Sequence, residues 1–194
     1  MFTATHQNQP AFIRYPRGNG EGVEVKEQPA LIEIGKAEVL QNFSNNDKPR
    51  VAFFALGPMR TIADAALAKL EADGIDAAII NPRFTKPIDE GTTGFFAKAA
   101  EVVVTIEDHA LRGGYGSIVR DYLAECGITT PVVRIGWPDQ FIEHASSVAY
   151  LRDKHGLTGA NTADLIRQAL GQAADAKTSP NKRLAKRPAG SPQR

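Results

Sequence analysis

Two arginines near the start of the chain are candidates for binding a phosphate group. They lie in the segment 11–20, AFIRYPRGNG, where a short apolar stretch is expected to form a strand that leads into a turn. Pro16 fixes the backbone of that turn, and the glycines after it let the chain reverse. A guanidinium group in a fixed loop is well suited to bidentate capture of phosphate. Arg14 and Arg17 are therefore the first candidate ligand-binding residues.

A second candidate site follows the apolar run 102–106. The tripeptide 107–109, Glu-Asp-His, supplies titratable groups, and the segment 112–117, RGGYGS, places glycines before a predicted helix. Exposed amides at a helix N-terminus attract anions, so a phosphate or diphosphate site is one interpretation. The other interpretation is that the glycines let the helix pack closely against the strand. The spacing matches neither the Walker loop nor the GxGxxG element.

The loop 81–89, NPRFTKPID, contains two further cations. Arg83 and Lys86 are able to bind an anion, and pairing with local carboxylates is the other interpretation. Pro87 is typical of the first position of a helix, and Asp89 in the first turn interacts favourably with the helix dipole.

The remaining reactive side chains are isolated in the sequence. His144 and His155 have no evident partner, and no Ser-His-Asp order, metal-ligand cluster or G-x-S-x-G elbow occurs. Cys126 is the single cysteine, so an internal disulfide is excluded, and we expect its thiol to be buried on a helix. The sequence therefore assigns no catalytic residue and no metal ligand.

Alternating strands and helices must position these loops. Apolar runs predict strands over 51–56, 75–80, 102–106 and 131–135, and residues 31–40 form either one bent strand or a hairpin. Apolar residues at helical spacing predict helices over 60–72, 87–99, 118–124 and 162–170, the last with Thr162 as N-cap. The alternation indicates an α/β fold, a three-layer, mostly parallel sheet of about five strands with helices on both faces. Such sheets bind ligands at the carboxyl ends of their strands.

Charge is unevenly distributed over the 194 residues. Residues 177–194 hold six of the 23 Lys and Arg and none of the 22 Asp and Glu, so the rest of the chain has five more acidic than basic residues. We expect 174–194 to be a disordered, solvated basic tail, and we expect no specific nucleic-acid partner. No apolar stretch is long enough to span a membrane, and no secretory signal is visible. These features predict a cytoplasmic protein without a membrane partner.

Five segments taken together resemble one family of enzymes. They occur in family-like order and spacing between about residues 10 and 171, and they are IRYPRGN (13–19), IGK (34–36), RFTKPID (83–89), EDH with GGYGS (107–117) and IGWPDQFI (135–142). Together they are similar to the C-terminal third of the 1-deoxy-D-xylulose-5-phosphate synthases. Those enzymes are transketolase-like and depend on thiamine diphosphate, and the wider family includes the β subunits of 2-oxo acid dehydrogenases.

The resemblance implies a three-domain homodimer that uses thiamine diphosphate and Mg²⁺. Such an enzyme condenses pyruvate with glyceraldehyde 3-phosphate, with loss of carbon dioxide, and its product feeds isoprenoid, thiamine and pyridoxal biosynthesis. By the family pattern, Arg17 binds the phosphate of glyceraldehyde 3-phosphate. The implied domains are the truncated end of the preceding pyrimidine-binding domain over 1–24, a transketolase-like C-terminal domain over 25–173, and the basic tail over 174–194.

The resemblance also predicts what this chain lacks. The family's diphosphate and magnesium motif, Gly-Asp-Gly followed by a distant Asn, does not occur, and the segment 72–74, Ala-Asp-Gly, lacks the first glycine. The glutamate that activates the cofactor belongs to a domain that would come before residue 1. We therefore expect no cofactor or metal to bind this chain alone, and we expect a partner that carries the remaining synthase domains. The alternatives are a non-catalytic dimerisation or binding module, and the C-terminal part of a transketolase or of a 2-oxo acid dehydrogenase β subunit.

Overall fold

A five-stranded sheet lies at the centre of the protein, for which a computed structural model describes residues 2–13, 27–44, 47–144 and 146–178. The strands are β1, Glu38–Gln41; β2, Arg50–Ala55; β3, Asp76–Asn81; β4, Val102–Ala110; and β5, Val132–Trp137. The α-helices are α1, Phe2–His6; α2, Arg60–Leu70; α3, Glu90–Ala99; α4, Tyr115–Glu125; α5, Val148–Lys154; and α6, Gly159–Thr178. Single 3-10 turns, Gly57–Met59 and Glu71–Asp73, flank α2.

The sheet is parallel except at one edge. Its order is β1-β3-β2-β4-β5, with β1 antiparallel to β3 and the other neighbours parallel. Helices α2 and α6 cover one face, and α3 and α4 cover the other. The predicted three-layer α/β fold with a mostly parallel sheet is confirmed.

The central strands are buried on both faces because nearly every residue in them is apolar. In β2, Val51 and Phe53 enter the core under α2 and α6, whereas Ala52 and Phe54 enter the core under α3 and α4. Successive side chains of a strand point to opposite faces, so an uninterrupted apolar run serves two cores at once. Burial of each phenylalanine contributes about 1.5–3 kcal/mol. The two cores thereby fix where the strand ends lie.

The segment before β1 is a linker rather than a strand. Residues 31–33 are irregular, and a turn at 34–35 leads towards β1, so the predicted strand or hairpin over 31–40 is reduced to Glu38–Gln41. Gly35 adopts a φ of 75°, and a Cβ there would lie 3.0 Å from the Pro87 side chain. The glycine therefore serves the turn and a close approach to the loop after β3.

Three helices begin at different residues from those predicted. Helix α4 starts at Tyr115 rather than at residue 118. Asp89 is the N-cap of α3 rather than a residue of its first turn, because its side chain accepts a hydrogen bond from Thr92 N at 3.0 Å. Helix α6 begins at Gly159 instead of Thr162. The Thr158 hydroxyl accepts a hydrogen bond from the third following amide at 3.2 Å, which satisfies a donor at the helix start.

Short elements and one thiol also differ from the predictions. Helices α1 and α5 are too short for their apolar spacing to predict them. Residues 11–13, predicted as a strand, are irregular, and Phe12 is fully exposed. Cys126 lies at the C-cap of α4, off its apolar face, and is exposed rather than buried. No helix in the described ranges is both long and apolar enough to cross a membrane.

Asp89 joins α3 to the linker, and its replacement should destabilise the domain. Asp89→Ala should lower the free energy of unfolding by about 1–2 kcal/mol, the usual cost of a lost N-cap. The variant also removes the acceptor of the Ala37 amide, which donates to Asp89 Oδ2 at 3.1 Å. Urea unfolding of both proteins measures the loss.

The difference in the free energy of unfolding between the unsubstituted protein and Asp89→Ala should depend on pH. Burial alone raises the pKa of Asp89, but hydrogen bonds from Thr92 and Ala37 bring it below the ordinary value of 3.8. The contribution of the Asp89 carboxylate to the stability of the folded domain is therefore complete above pH 3.8 and is lost as the pH falls further. Asp64→Ala is the control, because its carboxylate is half-exposed in a surface pair with Arg60, and the expected change is within about 0.5 kcal/mol. Equal losses in the two variants would contradict the capping role.

Candidate functional site at the carboxyl edge of the sheet

The carboxyl ends of the four parallel strands form one edge of the sheet, here named the carboxyl edge. It comprises the ends of β3, β2, β4 and β5 with the described residues of the loops that follow them, 82–89, 56–59, 111–114, 138–144 and 146–147. The chain continues from β2 into α2 on one face and from β4 into α4 on the other. The topological switch point therefore lies between β2 and β4, which is the usual ligand crevice of such a sheet.

A buried carboxylate fills the helix N-terminus beside this switch point. Glu107 is 1% exposed, and its two oxygens accept hydrogen bonds from Tyr115 N at 2.6 Å and Gly116 N at 2.9 Å. These amides begin α4, where the helix dipole favours negative charge. Burial, and next the Glu107 charge, raise the pKa of the Tyr115 hydroxyl. The Glu107 side chain thus occupies the position that an anionic ligand would take.

Two glycines make this contact possible. A Cβ on Gly114 would overlap the Glu107 carboxylate and the Ala110 carbonyl, and a Cβ on Gly116 would lie 2.5 Å from Thr105 Oγ1. Of the two interpretations of the glycine-rich segment, the structure supports close packing of α4 against β4. The amides at the start of α4 are not open to a phosphate.

Asp108 ties three elements together at the carboxyl edge. Its Oδ1 accepts a hydrogen bond from Trp137 Nε1 at 2.6 Å, and its Oδ2 accepts one from Arg152 Nη2 at 2.9 Å. Asp108 lies on β4, Trp137 ends β5 and Arg152 lies on α5. The carboxylate therefore fixes α5 against the sheet instead of facing a ligand.

His155 has a partner that the sequence did not reveal. Its Nε2 lies 3.0 Å from Glu143 Oε2, and its ring packs edge-on against Trp137 with centroids 5.7 Å apart. Lys154 pairs with the other Glu143 oxygen. Hydrogen bonds from Lys154 and His155 lower the pKa of Glu143 to about 2. These contacts hold the far end of the loop after β5, and a separation of twelve residues gives no local spacing signal for them.

Arg83 is paired with a carboxylate. Its Nη2 lies 2.8 Å from Glu38 Oε2 on the edge strand β1, which supports the ion-pair interpretation of this cation. Its φ of 58° is unusual for a residue other than glycine, and its amide donates to Asn81 Oδ1 at 3.1 Å. Arg83 also lines a surface cavity of about 400 Å³ together with Leu56 and Ile32.

The predicted phosphate ligand is not located by the structure. Arg14 and Arg17 both lie outside the described residues, so the assignment of Arg17 stays a prediction. The described residues do not fit the cofactor that the resemblance implies. The glycine-rich helix start holds Glu107, and the part of the chain that the structure describes contains no group of three His, Cys, Asp or Glu placed to hold a metal ion.

Comparison with known proteins identifies the class of domain. Residues 35–161 match the family "Transketolase, C-terminal domain", and the chain belongs to that family. Among its relatives, the 1-deoxy-D-xylulose-5-phosphate synthase of Methylacidiphilum infernorum is 50% identical over 161 residues, and that of Acidobacterium capsulatum is 44% identical over 158 residues. The alignments cover 83% and 81% of this chain but 25% and 24% of the relatives. The chain therefore spans about a quarter of the length of these relatives.

A solved structure agrees with the fold. A split-gene transketolase, described as an inactive β4 tetramer, is 34% identical and has a TM-score of 0.64, with 77% of this chain and 46% of that chain covered. The family resemblance drawn from the five sequence segments is confirmed.

Loss of the Glu107 carboxylate should destabilise the domain strongly. Glu107→Ala should lower the free energy of unfolding by about 3 kcal/mol, because two buried amides lose their acceptor at about 1–3 kcal/mol each. Gly114→Ala should also destabilise, because the new methyl group would displace the same carboxylate. Urea unfolding at neutral pH measures both changes.

Gly171→Ala is the matched glycine control. Gly171 lies on α6, and a Cβ there would meet nothing within 4 Å. This substitution should stabilise the domain by up to about 1 kcal/mol, the difference in helix propensity between glycine and alanine.

Glu107→Ala has its own contradicting outcome. If this variant lowers the free energy of unfolding by less than about 0.5 kcal/mol, the amides of α4 have another acceptor.

Proposed function

We propose that this chain is the C-terminal part of a 1-deoxy-D-xylulose-5-phosphate synthase, a transferase that condenses pyruvate with glyceraldehyde 3-phosphate and releases carbon dioxide. The observation that carries the proposal is the 50% identity to the Methylacidiphilum infernorum enzyme over 161 residues. The segment 14–18, RYPRG, favours a synthase over a transketolase or a 2-oxo acid dehydrogenase β subunit.

In this proposal, the domain contributes a scaffold and one substrate contact. Arg17 binds the phosphate of glyceraldehyde 3-phosphate, because a guanidinium in a proline-fixed turn is suited to that contact. Thiamine diphosphate supplies the carbon–carbon chemistry when bound, and with Mg²⁺ it is held by the remaining domains of the enzyme. The occupied helix start at Glu107 supports this division of roles.

The active form in this proposal is an assembly in the cytoplasm. The relatives are about four times as long as the matched region. In this proposal the other domains belong either to the remaining part of the same enzyme or to a subunit that carries them, and the complete enzyme is a homodimer. Cys126 is exposed and unpaired, which suits a reducing compartment.

A second candidate function is a non-catalytic binding module. Two observations favour it. The described carboxyl edge uses its charged groups in internal pairs, and the related split-gene transketolase is described as an inactive tetramer. In that case the chain assembles with itself and never takes part in turnover.

The two candidates differ in what a partner does. The chain alone should bind no thiamine diphosphate in calorimetry and should form no product from pyruvate and glyceraldehyde 3-phosphate. Co-expression with the part of the Methylacidiphilum infernorum enzyme that lies outside the matched quarter should restore turnover. Turnover by the chain alone would contradict the proposed division of roles. An assembled but inactive complex would favour the binding module.

Arg17 is tested in that assembled enzyme. Arg17→Ala should raise the KM for glyceraldehyde 3-phosphate at least about tenfold, because a hydrogen bond to a charged group contributes about 1.5–3 kcal/mol. The KM for pyruvate should stay unchanged, since pyruvate has no phosphate. Arg14→Ala is the matched control from the same sequence segment and should have a smaller effect. An unchanged kcat/KM in Arg17→Ala would remove this residue from phosphate binding.

A further inference from the structure

Two of the arginines that the structure describes have no carboxylate partner. The described ranges contain eight arginines, and six of them form ion pairs with Asp or Glu. The paired residues are Arg50, Arg60, Arg83, Arg112, Arg152 and Arg167. The other two, Arg120 and Arg134, line the same surface cleft of about 280 Å³. Because arginine is always charged, both bring to this cleft a positive charge without an ion-pair partner in the described ranges.

The cleft lies between α4 and β5, the last strand in the order of the sheet. Arg134 belongs to β5, and the other lining residues, Ser117, Arg120, Asp121 and Ala124, belong to α4. Asp121 is the single carboxylate of this lining, and it forms no ion pair with either arginine. Two guanidinium groups and one carboxylate leave the cleft with a net positive charge. The cleft is therefore electrostatically suited to an anion.

Arg134 is a charged residue on a strand whose neighbouring side chains enter the core. Val133 and Ile135 pack under α2 and α6, so alternation along the strand directs position 134 to the side of α4. The stem of Arg134 packs there against Gly116, where an added Cβ would lie 2.9 Å from Arg134 Cδ. The residue is half-buried. A half-buried charge without a carboxylate partner is costly unless another group neutralises it.

The Arg134 guanidinium is held on one side and open on the other. Its Nη1 donates to the Leu111 carbonyl at 3.1 Å and to Ser117 Oγ at 3.2 Å. The serine hydroxyl donates to the same carbonyl at 2.9 Å, which fixes the serine as an acceptor for Nη1. Nε and Nη2 have no hydrogen-bond partner among the described residues. A held guanidinium loses little conformational entropy on binding, and its two open donors fit two oxygens of one anion.

We propose that the cleft between α4 and β5 binds the phosphate group of a small ligand. Arg134 holds two phosphate oxygens through Nε and Nη2, and Arg120, exposed on α4, supplies the second positive charge. A phosphate has more charge and more acceptor oxygens than a carboxylate, so it matches two guanidinium groups better. The volume of 280 Å³ is about nine times that of a water molecule in the liquid, which is room for a small phosphate ester. This site is separate from Arg17 and does not rest on the proposed function.

Nuclear magnetic resonance titration of the ¹⁵N-labelled full chain with inorganic phosphate tests the proposal. Sodium chloride keeps the ionic strength constant, and every protein carries Arg17→Ala so that the predicted site at that residue contributes nothing. The amide shifts of residues 117–124 should change and saturate. Arg134→Gln and Arg120→Gln should each raise the dissociation constant at least about tenfold, because each removes a charged hydrogen-bond donor. Acetate, the carboxylate probe, should bind more weakly than phosphate.

Arg60→Gln is the matched control for the loss of one positive charge. Arg60 lies on α2 in a surface pair with Asp64, so this variant should leave the dissociation constant unchanged. Arg134→Lys keeps the charge but loses the paired donors, and its affinity should fall between those of the parent protein and Arg134→Gln. Circular dichroism melting verifies that each variant is folded, and the exposed Arg120 gives a test that does not depend on the half-buried Arg134.

Three outcomes would overturn the phosphate site. The first is a set of phosphate-dependent shifts confined to the basic segment 179–194, which would mean non-specific binding by that segment. The second is an equal dissociation constant for Arg120→Gln, Arg134→Gln and Arg60→Gln. The third is tighter binding of acetate than of phosphate, which would make the cleft a carboxylate site.

Discussion

The carboxyl group of Glu107 is buried beside the switch point of the sheet, and the local structure follows from its need for hydrogen-bond donors. A buried carboxylate is stable only with donors close by, and the first amides of α4 supply them together with the helix dipole. That arrangement requires α4 to come close to β4, which in turn requires glycine at 114 and 116. A crevice that holds phosphate in many α/β proteins is thereby closed by the chain's own side chain.

Most of the sheet is predictable from the sequence because its signals are local. The run 51–56 contains no polar residue, so a strand covered on both faces is the direct interpretation, and the helices beside it show clear periodicity. The structure of the linker 31–37 was harder to predict. Its apolar residues are typical of a strand, although they have no neighbouring strand in the described structure. These residues are exposed, and no local pattern distinguishes such a linker from an edge strand.

The candidate site was predictable only in part. The glycines 113–116 indicated a helix start near charged residues, but whether the anion was a ligand or an internal side chain depends on Glu107 reaching α4 across the loop. The pair of Glu143 with His155 and the contact of Asp108 with Arg152 join residues 12 and 44 positions apart. Such pairs arise from the tertiary fold, and neither sequence spacing nor composition signals them. The phosphate-binding role of Arg17 is a prediction from the family resemblance, and this residue lies outside the described residues.

Helix α6 separates the two ends of the domain. It begins beside Ala65 of α2, and Arg167 reaches Asp73 and the Lys69 carbonyl at the end of α2, so α6 runs alongside α2 toward the amino edge, where the parallel strands begin. Another 11 residues follow Arg167 in α6, which carries the helix about 16 Å farther at 1.5 Å per residue. Because β1 is antiparallel to β3, the chain enters the sheet at its carboxyl edge, and it leaves beyond the amino edge. Labels or surface tethers attached after Thr178 start on the side away from the carboxyl edge, so this domain is suited to immobilisation through its C-terminal end.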